Sequence, residues 1–122
     1  MIQKAWEIEY TDEFREWWLT LDVRDQDAVR AKVDLLSEEG TALGFPNSSQ
    51  VKGSRHGHMR ELRIQSAGRP LRALYAFDPR RFVILLIGGD KTGDARFYDR
   101  IVATADRLYD DHLDILTREG LI

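Results

Sequence analysis

The chain has 122 residues, enough for one domain with a hydrophobic core but too few for two domains of ordinary size, so residues 1–122 are predicted to form a single domain. It contains no cysteine, which excludes disulfide bonds, thiolate zinc sites and a cysteine nucleophile. No apolar run approaches the roughly 18 residues of a membrane span, and acidic residues near the N-terminus interrupt any signal-peptide core, so a cytoplasmic protein is expected.

The net charge of -3 is unevenly distributed along the chain. Residues 52–100 contain 11 basic and 5 acidic residues, whereas the remaining positions contain 7 basic and 16 acidic residues. A basic middle between acidic ends favours a surface that faces a polyanion. The alternative is that these arginines pair with acidic helices of the same chain.

The first 40 residues predict one strand and a helical hairpin. Residues 4–10 alternate apolar and acidic side chains, which is typical of a half-buried strand. Thr11 or Asp12 can cap the next helix, and Asp22 can begin a second helix that ends at Gly40. Four apolar residues of the first helix repeat at helical spacing and are expected in the core: Phe14, Trp17, Trp18 and Leu21.

Residues 41–57 have no sustained period and are predicted to be a long loop, a type of segment that is often functional in small domains. Three runs of strand length follow at residues 59–64, 71–77 and 82–87. Turn-forming residues separate them, so an antiparallel meander is expected. The last run is apolar on both faces and should be the most buried strand.

The segment "GGDKTGDARFYDR" is predicted to connect the last strand to a closing helix over residues 95–118. Gly88 and Gly89 would permit a tight exit from the strand, and Asp94 would be the N-cap. The segment lacks the Gly-Lys-Thr order of a phosphate-binding P-loop, which argues against nucleotide binding.

The predicted fold is therefore α+β. The element order is strand, helix, helix, strand, strand, strand, helix, with a mainly antiparallel four-stranded sheet. We expect all helices to cover one face of this sheet, because a sheet of this size needs an apolar partner, and the other face to be open.

Strand alternation places Glu61, Arg63 and Arg72 together on the predicted open face. The simplest interpretation is a cross-strand ion pair. The alternative is metal-independent cleavage of a phosphodiester, which needs a base, cations around the phosphate and a proton donor. Glu61 would be the base, Arg63 and Arg72 would clamp the phosphate, and the acid or its support would be Lys91, His58 or Tyr98.

His56 and His58 stand two residues apart and could share a face of an extended segment. A metal site, a contact with RNA or proton transfer, and ordinary polar surface are all compatible with this spacing. The predicted RNA-binding set combines these histidines with nearby basic residues: Lys52, Arg55, His56, His58, Arg60 and Arg96.

Three strings, "MRELRI", "GRPLRALYAF" and "VILLIGGDKTGDARFYDRI", make the chain resemble the phage-derived HigB-like branch of the RelE/ParE toxin superfamily. The resemblance covers nearly the whole chain, including "FREWWLTL" and "ADRLYDDHL". It implies a RelE-like fold and a toxin of a type II toxin–antitoxin system that cuts messenger RNA on the ribosome by attack of the 2'-hydroxyl. The implied partners are a helix-turn-helix antitoxin of the HigA type, the ribosome and messenger RNA, with no metal, small-molecule cofactor or membrane.

Carried over by position, the resemblance assigns the active groups to Arg72, Lys91, Tyr98 and the pair Glu61 and Arg63. The chain departs from well-known members in its acidic overall charge and its longer closing helix. Two alternatives stay open: an inhibitor of DNA gyrase like the ParE branch, and a decayed toxin that acts only as a binding module.

Overall fold

The computed structural model of the protein describes residues 5–122. Within them the chain forms five strands, three α-helices and one short 3-10 turn. In chain order these are β1 (Ile8–Tyr10), α1 (Asp12–Leu19), α2 (Val23–Glu39), the 3-10 turn (Gly40–Ala42), β2 (Ser48–Gln50), β3 (Arg60–Ser66), β4 (Arg69–Phe77), β5 (Val83–Asp90) and α3 (Phe97–Arg118). No helix in this part of the chain combines the length and apolar character needed to cross a bilayer.

The first strand is shorter than predicted. Lys4, where the predicted strand began, lies outside the described residues. The Trp6 N–H donates to the carbonyl of Ser37 at the end of α2, at 2.8 Å, so this part of the backbone bonds to a helix end. Within the described residues, the part of the predicted strand that pairs in the sheet is Ile8–Tyr10, which runs parallel to β5.

The sheet has five strands in the order β1-β5-β4-β3-β2, which corrects the predicted four. The prediction of a mainly antiparallel sheet is confirmed, since only the β1 and β5 pair is parallel. The additional strand, β2, lies inside the segment predicted to be a loop. It pairs antiparallel with β3, with Ser48 opposite Leu62 and Gln50 opposite Arg60.

Helices cover both faces of the sheet, so the prediction that all helices lie on one face is wrong. One hydrophobic layer joins Phe14 of α1 and Val29 of α2 to side chains of β3, β4 and β5. A second layer joins α3, through Ile101 and Ala105, to the opposite side chains of β4 and β5. Because the central strands are apolar on both faces, each face needs an apolar cover.

The predicted caps of the first two helices are confirmed. The Thr11 hydroxyl accepts from the Phe14 N–H at 2.9 Å and donates to the Leu86 carbonyl at 2.7 Å, so it begins α1 and fixes it to β5. Asp22 accepts from the Asp25 N–H at 2.8 Å and caps α2. Such a cap contributes about 1 kcal/mol.

The segment before α3 differs from its prediction. Gly88 and Gly89 lie within β5, and their lack of a side chain allows close packing rather than a turn. A Cβ at Gly88 would lie 2.2 Å from the Trp17 ring, and one at Gly89 would lie 2.8 Å from the Phe97 ring. Arg96, not Asp94, occupies the N-cap position of α3, while the Asp94 carboxylate accepts from the Arg96 N–H at 3.1 Å.

Candidate active site

The register of β3 and β4 brings three of the predicted site residues together. Arg63 lies directly opposite Arg72, and Glu61 lies opposite Leu74. Alternation along each strand then points Glu61, Arg63 and Arg72 to the same face. This is the face covered by α3, because Leu74 belongs to the hydrophobic layer under that helix.

Four groups surround one oxygen of the Glu61 carboxylate. The hydroxyls of Tyr98 and Ser49 donate to Glu61 Oε1 at 3.0 and 3.1 Å. Arg63 Nη1 and Arg72 Nε lie 3.5 and 3.7 Å from the same oxygen. Residues from β2, β3, β4 and α3 therefore converge on a single carboxylate, and we call this set the Glu61 cluster: Ser49, Glu61, Arg63, Arg72 and Tyr98.

The expectation that Glu61 and Arg72 lie on an open face is wrong. Their side chains are only 5% and 4% exposed, because Tyr98 at the start of α3 and Ser49 on β2 cover them. Among residues 5–122, neither Glu61 Oε2 nor Arg72 Nε has a hydrogen-bond partner. Arg72 Nη1 donates to the Leu71 carbonyl at 2.9 Å. The pair thus keeps one buried acceptor and one buried donor unused.

Tyr98 and Lys91 form the edge of the cluster. Burial and the hydrogen bond to Glu61 raise the pKa of Tyr98 above its usual 10.0, so its phenol is neutral near pH 7 and can donate a proton. The Lys91 ammonium lies 5.4 Å from the centre of the Tyr98 ring, a cation–π distance. All five residues predicted to be catalytic are therefore neighbours: Glu61, Arg63, Arg72, Lys91 and Tyr98.

A pocket of about 360 Å³ adjoins the cluster and shares Arg63 and Arg72 with it. Lys32 of α2 reaches the pocket and donates to the Asn47 side chain. Phe45 directly precedes Pro46 of the lining, and the Arg63 guanidinium lies 5.2 Å from its ring centre. We call this the basic pocket, and its lining is Lys32, Pro46, Asn47, Arg63, Gln65 and Arg72.

Part of the predicted RNA-binding set lies elsewhere. The Arg55 side chain bonds to Asp110 in the middle of α3, and His56 Nε2 lies 2.8 Å from the same carboxylate. The His56 and His58 rings both pack edge-on against Tyr109. Tyr109 is eleven residues beyond Tyr98, about 16 Å along the helix axis, so these groups do not join the Glu61 cluster.

The three other predicted RNA-binding residues occupy different positions. Arg60 faces the opposite side of β3 from Glu61 and donates to the Ser48 hydroxyl at 3.1 Å. Lys52 is exposed after β2, and Arg96 is exposed two residues before Tyr98. Arg96 is therefore close in sequence to Tyr98 of the Glu61 cluster, whereas strand alternation points Arg60 away from the cluster.

The sequence did not predict that Ser49, Lys32 and Asn47 belong to the site. Ser49 belongs to a strand of polar residues without alternation, and Lys32 is one of several charged residues on α2. Within residues 5–122, no group of three or more His, Asp or Glu side chains is arranged to hold a metal ion.

A larger groove, of about 370 Å³, lies on the other side of the sheet between β1, α1 and α2. Its walls are mainly apolar, with Trp18 and Leu19 among them and Arg15 and Arg30 at the edge. Among residues 5–122 its lining includes no carboxylate or imidazole, so the groove lacks the acid–base groups that the Glu61 cluster has.

The chain is similar to one protein family and to two named proteins of one organism. The profile of the family described as phage derived protein Gp49-like matches residues 16–110. HigB2 of Mycobacterium tuberculosis, whose name describes it as a toxin, is 43% identical over 99 residues, which is 80% of this chain and 49% of HigB2. HigB3 of the same organism, also named as a toxin, is 42% identical over 75% of this chain and 79% of HigB3. The chain thus spans about half the length of HigB2.

Solved structures share the fold at low sequence identity. A mutant of the E. coli toxin RelE in the free state aligns with a TM-score of 0.57 and 12% identity, covering 80% of this chain and 95% of RelE. The archaeal RelE–RelB complex from Pyrococcus horikoshii gives a TM-score of 0.54 and 10% identity, covering 73% of this chain and 98% of that one. The α+β fold is therefore RelE-like.

Proposed function

The chain belongs to the phage-derived Gp49-like family, the HigB-like branch of the RelE/ParE toxin superfamily, and from this premise we propose that it is a type II toxin that cuts messenger RNA on the ribosome. The observation that carries the proposal is the convergence of Glu61, Arg63, Arg72 and Tyr98, with Lys91 beside Tyr98. Gathering a carboxylate, two guanidiniums and a phenol supplies each group that metal-independent RNA cleavage requires.

In the proposed reaction, Glu61 removes the proton of an RNA 2'-hydroxyl. The 2'-oxygen then bonds to the adjacent phosphorus while the bond from phosphorus to the 5'-oxygen breaks. The products are a 2',3'-cyclic phosphate and a 5'-hydroxyl, and the leaving oxygen takes its proton from the acid. Arg63 and Arg72 offset the negative charge that builds on the phosphate.

Tyr98 is the best placed acid. Its raised pKa keeps the phenol protonated at neutral pH, and its hydroxyl lies 3.0 Å from the carboxylate that acts as the base. Lys91 would stabilise a phenolate formed at Tyr98, because its ammonium lies beside the ring. The reaction drawn in this way uses neither a metal ion nor an organic cofactor.

The proposed partners are an antitoxin, the ribosome and messenger RNA, in the cytoplasm. The P. horikoshii neighbour is a RelE–RelB complex, which supports an antitoxin partner. A helix-turn-helix antitoxin of the HigA type is the proposed form. A toxin positioned by the ribosome needs only a local basic surface, consistent with the acidic net charge of -3.

Brief induction followed by mapping of messenger-RNA ends tests the proposal. We expect discrete cuts within translated codons, ends that carry 2',3'-cyclic phosphate and 5'-hydroxyl, and equal cleavage of purified ribosome complexes by toxin treated with a chelator. Arg63→Ala should abolish cutting with little loss of fold, since its side chain is 32% exposed, whereas Arg107→Ala on the exposed side of α3 should cut normally. Equal cutting by the two variants would refute the proposed clamp.

The burial of Glu61 and Arg72 favours a second candidate, a toxin that acts by binding alone, such as an inhibitor of DNA gyrase. A pair only 5% and 4% exposed can serve purely as a structural ion pair. This candidate predicts intact messages together with an SOS response. A decayed toxin predicts antitoxin binding with neither effect.

A further inference from the structure

We propose that the basic pocket binds the nucleotide next to the cleaved phosphate and that Phe45 stacks on its base. This inference rests on the proposed ribonuclease function and extends it to a base-binding residue. It concerns single-stranded RNA, because base stacking on an aromatic ring requires an unpaired base.

Phe45 is the aromatic residue that the fold leaves most available. Phe45 is 75% exposed. Exposing a large apolar ring to water does not stabilise the fold, so folding alone does not explain its position. The Arg63 guanidinium lies 5.2 Å from the ring centre, so a cation–π contact joins the ring to a residue that lines the pocket. A single exposed apolar residue is common, but an exposed ring held against a cationic pocket is a typical stacking platform.

The lining of the pocket fits a nucleotide. Among residues 5–122 it offers three cations, Lys32, Arg63 and Arg72, and no carboxylate, which suits a phosphate. The amides of Asn47 and Gln65 supply donors and acceptors for a base edge. Its volume of about 360 Å³ falls in the range of small-ligand sites.

The pocket is continuous with the Glu61 cluster. Arg63 belongs to both, since its Nη1 lies 3.5 Å from Glu61 Oε1 and its Cζ lies 5.2 Å from the Phe45 ring centre. Arg72 also belongs to both, since it lines the pocket while its buried Nε, which has no hydrogen-bond partner among residues 5–122, lies 3.7 Å from Glu61 Oε1. A phosphate held by Arg63 and Arg72 therefore has its neighbouring base within reach of Phe45.

A protein partner fits the same surface less well. Protein interfaces have apolar cores with few charges, whereas Lys32, Arg63 and Arg72 surround this pocket. The polyanionic backbone and aromatic bases of RNA match both of its features. Binding of a protein to Phe45 is treated as a competing outcome of the test.

The test measures binding of short single-stranded RNA in which every 2'-hydroxyl is methylated. Methylation removes the nucleophile, so binding is separated from cleavage. Each oligonucleotide lacks the base at one position, and its binding to the protein is measured by fluorescence anisotropy. The measurement is made with the RNA alone in low salt and with the RNA bound as messenger RNA in ribosome complexes. The proteins are wild type, Phe45→Ala, Phe45→Trp and the control Leu19→Ala, which removes a 61% exposed apolar side chain from α1.

We expect Phe45→Ala to weaken binding about tenfold and Phe45→Trp to preserve it, as for other stacked bases. Leu19→Ala should bind as wild type. Removal of one particular base should weaken binding to wild type by a similar factor and should have no effect on Phe45→Ala, because the two changes remove the same contact.

Several results would overturn the inference. The first is that Phe45→Ala binds RNA as tightly as wild type, and the second is that removing the base weakens binding to Phe45→Ala as much as it weakens binding to wild type. The third is that wild type binds no RNA. The fourth is that Phe45→Ala loses antitoxin binding while it still binds RNA normally. If the abasic effect is found but unmethylated messages are never cut, the ribonuclease proposal fails while base stacking stands.

Discussion

Replacing Glu61 and Arg72 separately and together should reveal how strongly this buried pair is coupled. Glu61→Gln and Arg72→Met keep the approximate size of each side chain and remove its charge. Glu61→Gln removes the carboxylate beside the buried Arg72, whose Nη1 keeps its hydrogen bond to the Leu71 carbonyl. Arg72→Met leaves Glu61 with Arg63 at 3.5 Å, so the second change should cost less.

The distance between the two charges sets the size of the coupling free energy between Glu61 and Arg72. At 3.7 Å and an effective dielectric constant of about 20, the Coulomb attraction is about 4 kcal/mol. Removing one partner of a buried pair typically costs about 3–5 kcal/mol, whereas removing both is much closer to neutral. We expect losses of about 3 kcal/mol for Glu61→Gln, about 2 for Arg72→Met and about 2 for the double variant, which gives a coupling of about 3 kcal/mol.

Urea unfolding followed by tryptophan fluorescence measures these free energies. The exposed pair Asp27 and Arg30, at 3.8 Å with side chains 68% and 61% exposed, is the control and should give nearly additive changes. Additivity at Glu61 and Arg72 as well would refute the reasoning. It would mean that proximity in the sheet, and not mutual attraction, keeps the two charges together.

Three further predictions concern other parts of the molecule. Gly88→Ala should lower stability by about 1–3 kcal/mol in urea unfolding, because its Cβ would meet Trp17 at 2.2 Å, whereas Gly57→Ala, with open space around it, should be nearly neutral. Burial raises the pKa of Asp78, but hydrogen bonds from Arg80, His112 and the Phe82 N–H outweigh burial and hold the pKa below 3.8. The ionised Asp78 therefore stabilises the fold above the unfolded pKa, and this stabilisation is lost as the pH falls through the lower folded pKa. The stability difference between wild type and Asp78→Asn should therefore shrink as the pH falls below about 4. Tyr98→Phe should reduce single-turnover cleavage of ribosome-bound messages about 100-fold with a folded circular-dichroism spectrum, and an unchanged rate would remove Tyr98 as the acid.

Strand alternation correctly predicted which charged residues share a face. Glu61, Arg63 and Arg72 point the same way because successive side chains of a strand alternate, a local property of the backbone. It could not predict what covers that face. The sequence contained a signal, since residues 82–87 are apolar on both sides and therefore need two covers.

The missed contacts depend on long-range pairing. Ser49 reaches Glu61 because the backbone of β2 pairs with β3, and a polar tripeptide has no pattern that predicts such pairing. Arg55 and His56 were predicted to face RNA because they are basic and lie in a loop. In the fold, Asp110 of α3 engages both, so a count of charges along the chain could not separate a free cation from a paired one.

If Glu61 is the base, its carboxylate must first be uncovered, and the contacts of α3 indicate how. Moving the whole first turn of α3 would withdraw Phe97, which is only 5% exposed, at a cost of about 2 kcal/mol for its burial alone. Rotating the half-buried Tyr98 side chain breaks its hydrogen bond to Glu61, a net cost of about 1 kcal/mol, and weakens its contacts with Lys91 and the core, all of which moving the turn would also lose. The rotation costs less, so the ring of Tyr98 would swing away while the helix stays docked. An incoming 2'-hydroxyl could then take over the position of the phenol at Glu61 Oε1, and the released Tyr98 hydroxyl would donate its proton to the leaving 5'-oxygen.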